Sequence, residues 1–322
     1  MMQNLDAFYM LSKMRYSTEL RNRQNILSEE HDILLLDEIQ KLVAEHPDFA
    51  SNKVFEVYRD MLQLMENPDN EAIFLRLEEN FTKSLVLFSP AYQSSMIRYL
   101  INITIQLYNN GKEKYLLKQF NLYQLGLEKE LLLDDGYLPD STFLNIIVSA
   151  TVLKELEWTR LFISQFCEKI SGEIQADAIR LGTAYLRFAE MNFRDSNDLL
   201  RQIETQEIPY QLRIRSLSLR NHFEVFLTDD SYYELVNYEA KAFDKFLRRD
   251  DRLLDTRIEA YLEFISFIQK MAYLKTNFQW TTLSRERLEK KLKGKKRIIA
   301  KQWLLEKIAG MEGKVQAETN HP

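Results

Sequence analysis

Glycine and proline are scarce in this chain, at 8 and 6 of 322 residues. Tight turns draw on both, so a sandwich, a barrel or a many-turned α/β enzyme is disfavoured. Cysteine occurs once, at Cys167, which excludes an internal disulfide and a cysteine-built zinc site. One thiol without a disulfide framework fits a reducing compartment, and a cytoplasmic location is expected. The four histidines are His31, His46, His222 and His321, and no two stand at i, i+4. Neither a metal site nor any cofactor is expected from them.

Long apolar runs are missing too. The first twenty residues carry Asp6, Lys13, Arg15 and Glu19, so no signal peptide is read there. From Ser84 to Gly111 the only charge is Arg98, yet Pro90 breaks the run and Gln93, Asn102, Thr104 and Gln106 interrupt it. That segment reads as a buried central helix after a Ser89-Pro90 start, not as a membrane span.

Catalytic patterns are equally absent. The carboxylate pairs Glu29-Glu30, Asp134-Asp135, Asp229-Asp230 and Asp250-Asp251 all fall at predicted helix boundaries, where capping is their expected role. Asp134-Asp135-Gly136 lacks the spacing of a calcium loop. Gly111-Lys112 and Gly294-Lys295 lack the second glycine of a phosphate loop. Cys167 beside Phe166 reads as a small core residue. The expectation is a protein that is not an enzyme.

What the chain does have is helical periodicity almost throughout. Hydrophobic residues make up 45 % and charged residues 28 %, a globular balance, and no strand-like alternation persists. Stop signals divide the chain into fifteen predicted helices. Among the breaks are His46-Pro47, Pro68, Asn109-Asn110-Gly111, the stretch Asp134 to Asp140, Pro209 and Asp229-Asp230-Ser231. The run Phe143 to Leu153 is uncharged, which predicts a helix in the middle of the layer. Short connections make neighbouring helices antiparallel, and so many helices cannot surround one core. The expected fold is all-α, a right-handed solenoid of about seven stacked antiparallel hairpins.

Self-similarity supports a repeat. Ile147-x-x-Ala150 precedes Leu181-Gly182-x-Ala184-Tyr185 by 34 residues, and Trp158 precedes Phe193 by 35. Tyr232 follows 39 later, and Tyr115 lies 43 before Trp158. A period near 34 with an aromatic opening each second helix resembles a tetratricopeptide repeat. The resemblance covers about Asn102 to Arg248 and is most specific in one unit, Leu181-Gly182-x-Ala184-Tyr185 with Phe193. It implies that Gly182 lets the second helix of its pair come close, with Tyr185 packed into the pair. Departures are a longer loop after Tyr185, Leu161 or Ser196 where a small residue is usual, and a single closing proline, Pro209. Leu5-Asp6-x-Phe8-Tyr9, Arg15-Tyr16, Asn22-Arg23-Gln24 and Trp303-Leu304-Leu305-Glu306-Lys307 are similar to bacterial proteins of this tetratricopeptide-like kind, a resemblance that implies architecture and no activity. The organisation expected is one helical-repeat domain over 1–311. It divides into irregular N-terminal hairpins at 1–111, tetratricopeptide-like repeats at 112–248 and C-terminal helices with a basic cap at 249–311. A disordered tail is expected at 312–322.

Two surfaces are candidates for function. In a solenoid the first helices line the concave side, which binds extended peptides or helices. Arg98 with Asn102, Asn145, Thr183 with Arg187, and Arg213 with Arg220 are polar residues on those helices. Together they predict a mildly basic groove for a protein partner, best suited to an acidic segment or a carboxylate terminus. The other surface is Ser284 to Lys307, with ten Lys/Arg against three Glu, +7 in a chain of net −5. Its basic patch comprises Arg287, Lys290, Lys291, Lys295, Lys296 and Arg297. The alternative reading is a nucleic-acid-associated or regulatory factor using residues 284–307. No aromatics interleave with those lysines, and Leu283, Leu288, Leu292, Ile298, Ile299, Trp303 and Leu304 give the segment an apolar face for docking as an end cap.

Overall fold

The computed structural model describes residues 2–27, 33–249, 255–295 and 298–311, and the side chains of all of these except 2–3, 22–27 and 255–256. Among the described residues there are sixteen α-helices and no strand beyond an isolated bridge between Asp134 and Tyr137. The chain divides into two compact units, Met1–Leu107 and Tyr108–Pro322.

The first unit holds α1 (Met2–Leu27), α2 (Leu36–Glu45), α3 (Pro47–Ala50), α4 (Lys53–Glu66), α5 (Glu71–Lys83) and most of α6 (Pro90–Asn109). The side chains of Asn52 and Asn70 cap α4 and α5 by accepting from Val54 and Ile73 N–H. Proline and asparagine thus start the helices where the sequence breaks them. Asp60 on α4 is fully buried and takes both donors of Arg76 on α5 at 2.7 Å, a bidentate pair that fixes how the two helices meet. The spacing after Pro68 predicts a helix over about Asp69 to Leu87, but α5 stops at Lys83 and the chain continues, after Ser84, as one 3₁₀ turn, Leu85–Leu87. The amide of Gln93 donates to Leu85 and Phe88 carbonyls at 2.9 and 2.8 Å, giving those groups partners outside a helix.

The second unit holds α7 (Lys114–Glu128), α8 (Asp140–Val152), α9 (Leu156–Phe166), α10 (Gln175–Ala189), α11 (Phe193–Arg201), α12 (Ile208–Thr228), α13 (Tyr233–Arg249), α14 (Asp255–Thr276), α15 (Thr282–Lys293) and α16 (Lys301–Gly310). From α7 to α14 each helix packs on the next, and α8 also touches α10, α10 touches α12, and α12 touches α14. Contact on several sides explains why α8 tolerates no charge after its first residue. Phe143, Leu144, Ile146, Ile147 and Ala150 are all buried.

Gly182 explains one of these approaches. A Cβ there would lie 2.5 Å from Ile147 Cδ1 and 3.1 Å from Phe143 Cε1. The helix it admits is therefore α8, the first helix of the preceding pair, and not α11, the second helix of its own pair. The approach of α11 is instead set by Ser196, fully buried, whose Oγ donates to the Ala184 carbonyl at 2.9 Å. Asn221 on α12 donates to Ser196 Oγ and Asn197 Oδ1, so one polar cluster pins α10, α11 and α12. Asp177 does the same for the following loop, accepting from the N–H groups of Glu204 and Thr205.

With glycine scarce, the turns are made by other residues. Lys154, Met191 and Phe278, just beyond α8, α10 and α14, have φ of 65°, 62° and 56°. In each case the next N–H reaches back five residues, Glu155 to Ala150, Asn192 to Arg187 and Gln279 to Leu274. Glu130 beyond α7, with φ of 55° and Leu131 N–H reaching back to Gly126, does the same, so a Schellman stop recurs four times in backbone geometry without its usual glycine. Gly111, with φ of 90°, is the left-handed stop the sequence predicts after α6.

Two outcomes follow. Gly182→Ala is expected to lower stability by about 1–3 kcal/mol. Combined with Ile147→Val, which removes Cδ1, a double-mutant cycle in urea should return a favourable coupling of about 1 kcal/mol. Lys154→Gly should stabilise the protein by about 0.5–1 kcal/mol, because a left-handed position penalises a Cβ; a fall in the urea midpoint would contradict the turn geometry.

Candidate functional site

On α12 the side chains of Arg213, Ser216, Arg220 and Glu224 recur every three or four residues and so share one face. That face, with Val148 of α8, Tyr185 and Phe188 of α10 and Tyr261 of α14, lines a cavity of 780 Å³ within the second unit. Further walls are the turn from Tyr108 to Glu113 and the chain's own C-terminal segment, including Lys301, Trp303 and Lys307 of α16.

Glu224 holds α16 in place. It is 8 % exposed, and its carboxylate accepts from Trp303 Nε1 at 2.7 Å and from Lys307 Nζ at 2.6 Å. Trp303 and Lys307 are four apart, on one face of α16, so a single carboxylate takes both donors. The Trp303 ring stands edge-on to Phe223, with centroids 5.7 Å apart. Trp280 Nε1 donates to the Met311 carbonyl at 2.9 Å and fixes the far end of the helix. Lys301 Nζ donates to the carbonyls of Lys293 and Lys295, and burial lowers its pKa.

Arg220 is the unusual group. Its guanidinium lies 4.7 Å from the Phe188 centroid and 5.9 Å from those of Tyr185 and Trp303. Its Nε is shielded from solvent and has no hydrogen-bond partner among the described residues. Desolvation lowers its pKa, partly offset by the charge of Glu224. Cation–π contact with three rings compensates some of this, but an orphan buried donor still costs about 1–3 kcal/mol.

The residues singled out from sequence separate into groups. Arg213 and Arg220 both line the cavity, and Arg213 Nη2 donates to Asn145 Oδ1 at 2.7 Å, joining α12 to α8. Thr183 Oγ1 bonds back to the Ile179 carbonyl, and Arg187 pairs with Glu190, which Arg160 of α9 also engages. Neither Thr183 nor Arg187 lines the cavity. Arg98 and the exposed Asn102 are on α6 in the first unit.

In the basic patch, Lys295 pairs with Glu263 at 2.6 Å, and Lys291 lies 5.4 Å from the Phe267 ring centroid. Arg287 and Lys290 are exposed on α15, and Lys296 and Arg297 lie outside the described residues. The expected apolar face is buried at Leu288, Leu292, Trp303 and Leu304, but Leu283 is 56 % exposed. It sits in the first turn of α15, beside the Thr281–Ser284 capping box.

Cys167 is half-buried rather than core, because α9 ends at Phe166 and Cys167 starts a single 3₁₀ turn. Asp229 caps as expected, accepting from Ser231 N–H and Oγ. Glu29, Glu30, His31, Asp250, Asp251 and His321 lie outside the described residues. Among the described residues no group of three or more His, Cys, Asp or Glu side chains could hold a metal ion, and no helix is long and apolar enough to cross a membrane.

Sequence reasoning did not single out Glu224, Tyr185 as a cavity wall, Lys301, or the polar role of Trp303. The available signals were the i, i+4 pairs Arg220 with Glu224 and Trp303 with Lys307. No protein-family model matches the chain, no curated protein matches its sequence and no solved structure matches its fold.

His222, on α12, is 5 % exposed, and its Nδ1 has no hydrogen-bond partner among the described residues. Burial, with a smaller push from Arg201, lowers its pKa from 6.5 to about 4. The unfolded chain therefore binds the extra proton first as pH falls. Unfolding free energy should decline by roughly 1–3 kcal/mol between pH 7 and 4 through this group. In His222→Gln that part of the slope should vanish, as followed by urea titration across the pH range.

Proposed function

We propose that the second unit is a stack of helix hairpins of tetratricopeptide-like, right-handed solenoid form, and that the protein is a non-enzymatic scaffold binding a segment of another protein. The hairpins are α8 with α9, α10 with α11, and α12 with α13, with α14 opening the next. What supports the stack is the contact of each first helix with the next first helix, in addition to its sequence neighbours. Tyr115, Trp158, Phe193 and Tyr232 stand within two residues of the starts of α7, α9, α11 and α13, as a repeating hairpin asks. A cytoplasmic location belongs to this reading, on the strength of the lone thiol.

The observation that carries the binding role is the seat of α16. A short amphipathic helix presents Trp303 and Lys307 to a face built by α12, and that face answers with a buried carboxylate and aromatic rings. A surface that accepts one helix in this way suits helix-in-groove recognition. The basic residues Arg213, Arg220 and Arg257 along the same cavity favour an acidic segment. The nucleic-acid reading of residues 284–307 draws less support, since Lys293, Lys295, Lys301 and Lys307 are engaged within the chain.

A photo-crosslinking amino acid at Val152, 40 % exposed on the cavity wall, tests this against one at Tyr238, 67 % exposed on α13. In cells that make the protein, position 152 should trap peptides of one other protein. Arg213→Glu/Arg220→Glu should abolish that product. Equal trapping from position 238, or none from 152, would refute the assignment.

A further inference from the structure

We propose that the cavity between α12 and α16 binds a small organic anion, a carboxylate or phosphate carried on an aromatic or apolar body, with the Arg220 guanidinium as its anchor. The proposal goes beyond the binding of a protein segment and does not require it.

Three observations converge. The first is the unspent donor capacity of Arg220. A guanidinium has five N–H donors in a rigid fork that fits carboxylate and phosphate oxygens, and among the described residues this one makes no hydrogen bond. Its Nε is sealed from solvent. The neighbouring Glu224 does not satisfy it, because Trp303 and Lys307 take that carboxylate. Arginine placed on aromatic faces is held in orientation before a ligand arrives, here by Phe188, Tyr185 and Trp303.

The second is the charge of the cavity. Seven cationic side chains line it against three carboxylates, in a chain whose net charge is −5. Lys293 and Lys307 are paired with Glu289 and Glu224, and Lys301 with backbone carbonyls, which leaves Lys154, Arg213, Arg220 and Arg257 as the excess; a concave wall with an excess of one sign concentrates ions of the other. Arg257, exposed on α14, stands at the same cavity.

The third is size and lining. A volume of 780 Å³ lies within the range of small-molecule sites, about 300–1,000 Å³, which are largely apolar with a few convergent polar groups. Tyr185, Phe188, Tyr261 and Trp303 supply the apolar and aromatic surface for the body of the ligand, and Arg220 supplies its orientation. Such a ligand would touch α10 and α12 on one side and α16 on the other, so its binding would also steady α16.

Calorimetric titration of the full chain with AMP, phenyl phosphate and N-acetyl-phenylalanine tests this, each paired with its uncharged counterpart: adenosine, phenol and N-acetyl-phenylalaninamide. At least one anion should bind one-to-one with Kd below about 1 mM, and at least about tenfold more tightly than its counterpart. Raising salt from about 50 to 300 mM should weaken it. Arg220→Gln should reduce affinity by at least about tenfold. Arg257→Gln, at an exposed position that leaves the core intact, should reduce it about threefold and guards against a folding defect in the first variant. Hydrogen exchange should slow across residues 301–310 on binding. Failure of all three anions to bind, equal binding of the uncharged partners, or unchanged affinity in folded Arg220→Gln would overturn the proposal. Loss of the Val152 cross-link with anion binding intact would refute the scaffold reading alone.

Discussion

A single buried carboxylate decides what kind of surface the second unit offers. Glu224 would be costly to bury alone, and its two donors both come from α16. Losing either donor with the helix still seated would leave a buried anion short of a partner, so helix and face are bound to each other by electrostatic need as well as by apolar contact. The position of Trp303 follows from this. Its ring packs on Phe223 and Arg220 while its N–H faces the carboxylate, using both the apolar and the polar ends of the side chain.

The stack beneath that site depends on close approach between successive first helices. Gly182 allows α8 and α10 to meet, and the Ser196–Asn221 cluster sets α11 and α12 against them. Polar groups at these crossings are paired, so they specify one arrangement of otherwise interchangeable apolar helices. The same economy appears in the turns, where Lys154, Met191 and Phe278 take a conformation usually left to glycine. The contacts on either side of each turn hold these residues there.

Much of the fold was legible in the sequence. The stop at Gly111, the buried run from Phe143, the helix start at Pro209 and the Asp229 cap all stand where local chemistry places them. These signals are short-range, and a helix boundary is decided within a few residues. The extra turn Pro47–Ala50 and the early end of α5 at Lys83 were missed because they depend on nearby carbonyls finding other partners. Gly182 was recognised as an approach point, but its neighbour was misassigned, since a missing Cβ says that something comes close and not what. The candidate site was half legible: Arg213 and Arg220 share a face by spacing alone, whereas Arg187 turns to Glu190, a choice made by competing acceptors.

By itself, the sequence determined that this chain is helical, where most of its helices begin and end, and which side chains share a helix face, because periodicity, capping and chain stiffness act over one or two turns. Tertiary structure alone decided which faces meet, that α16 would close a cavity over α12, and that Arg220 Nε would be left without a hydrogen-bond partner among the described residues. Those outcomes join residues 79 and 83 positions apart, and they are settled by the competition of burial, charge and shape among distant segments.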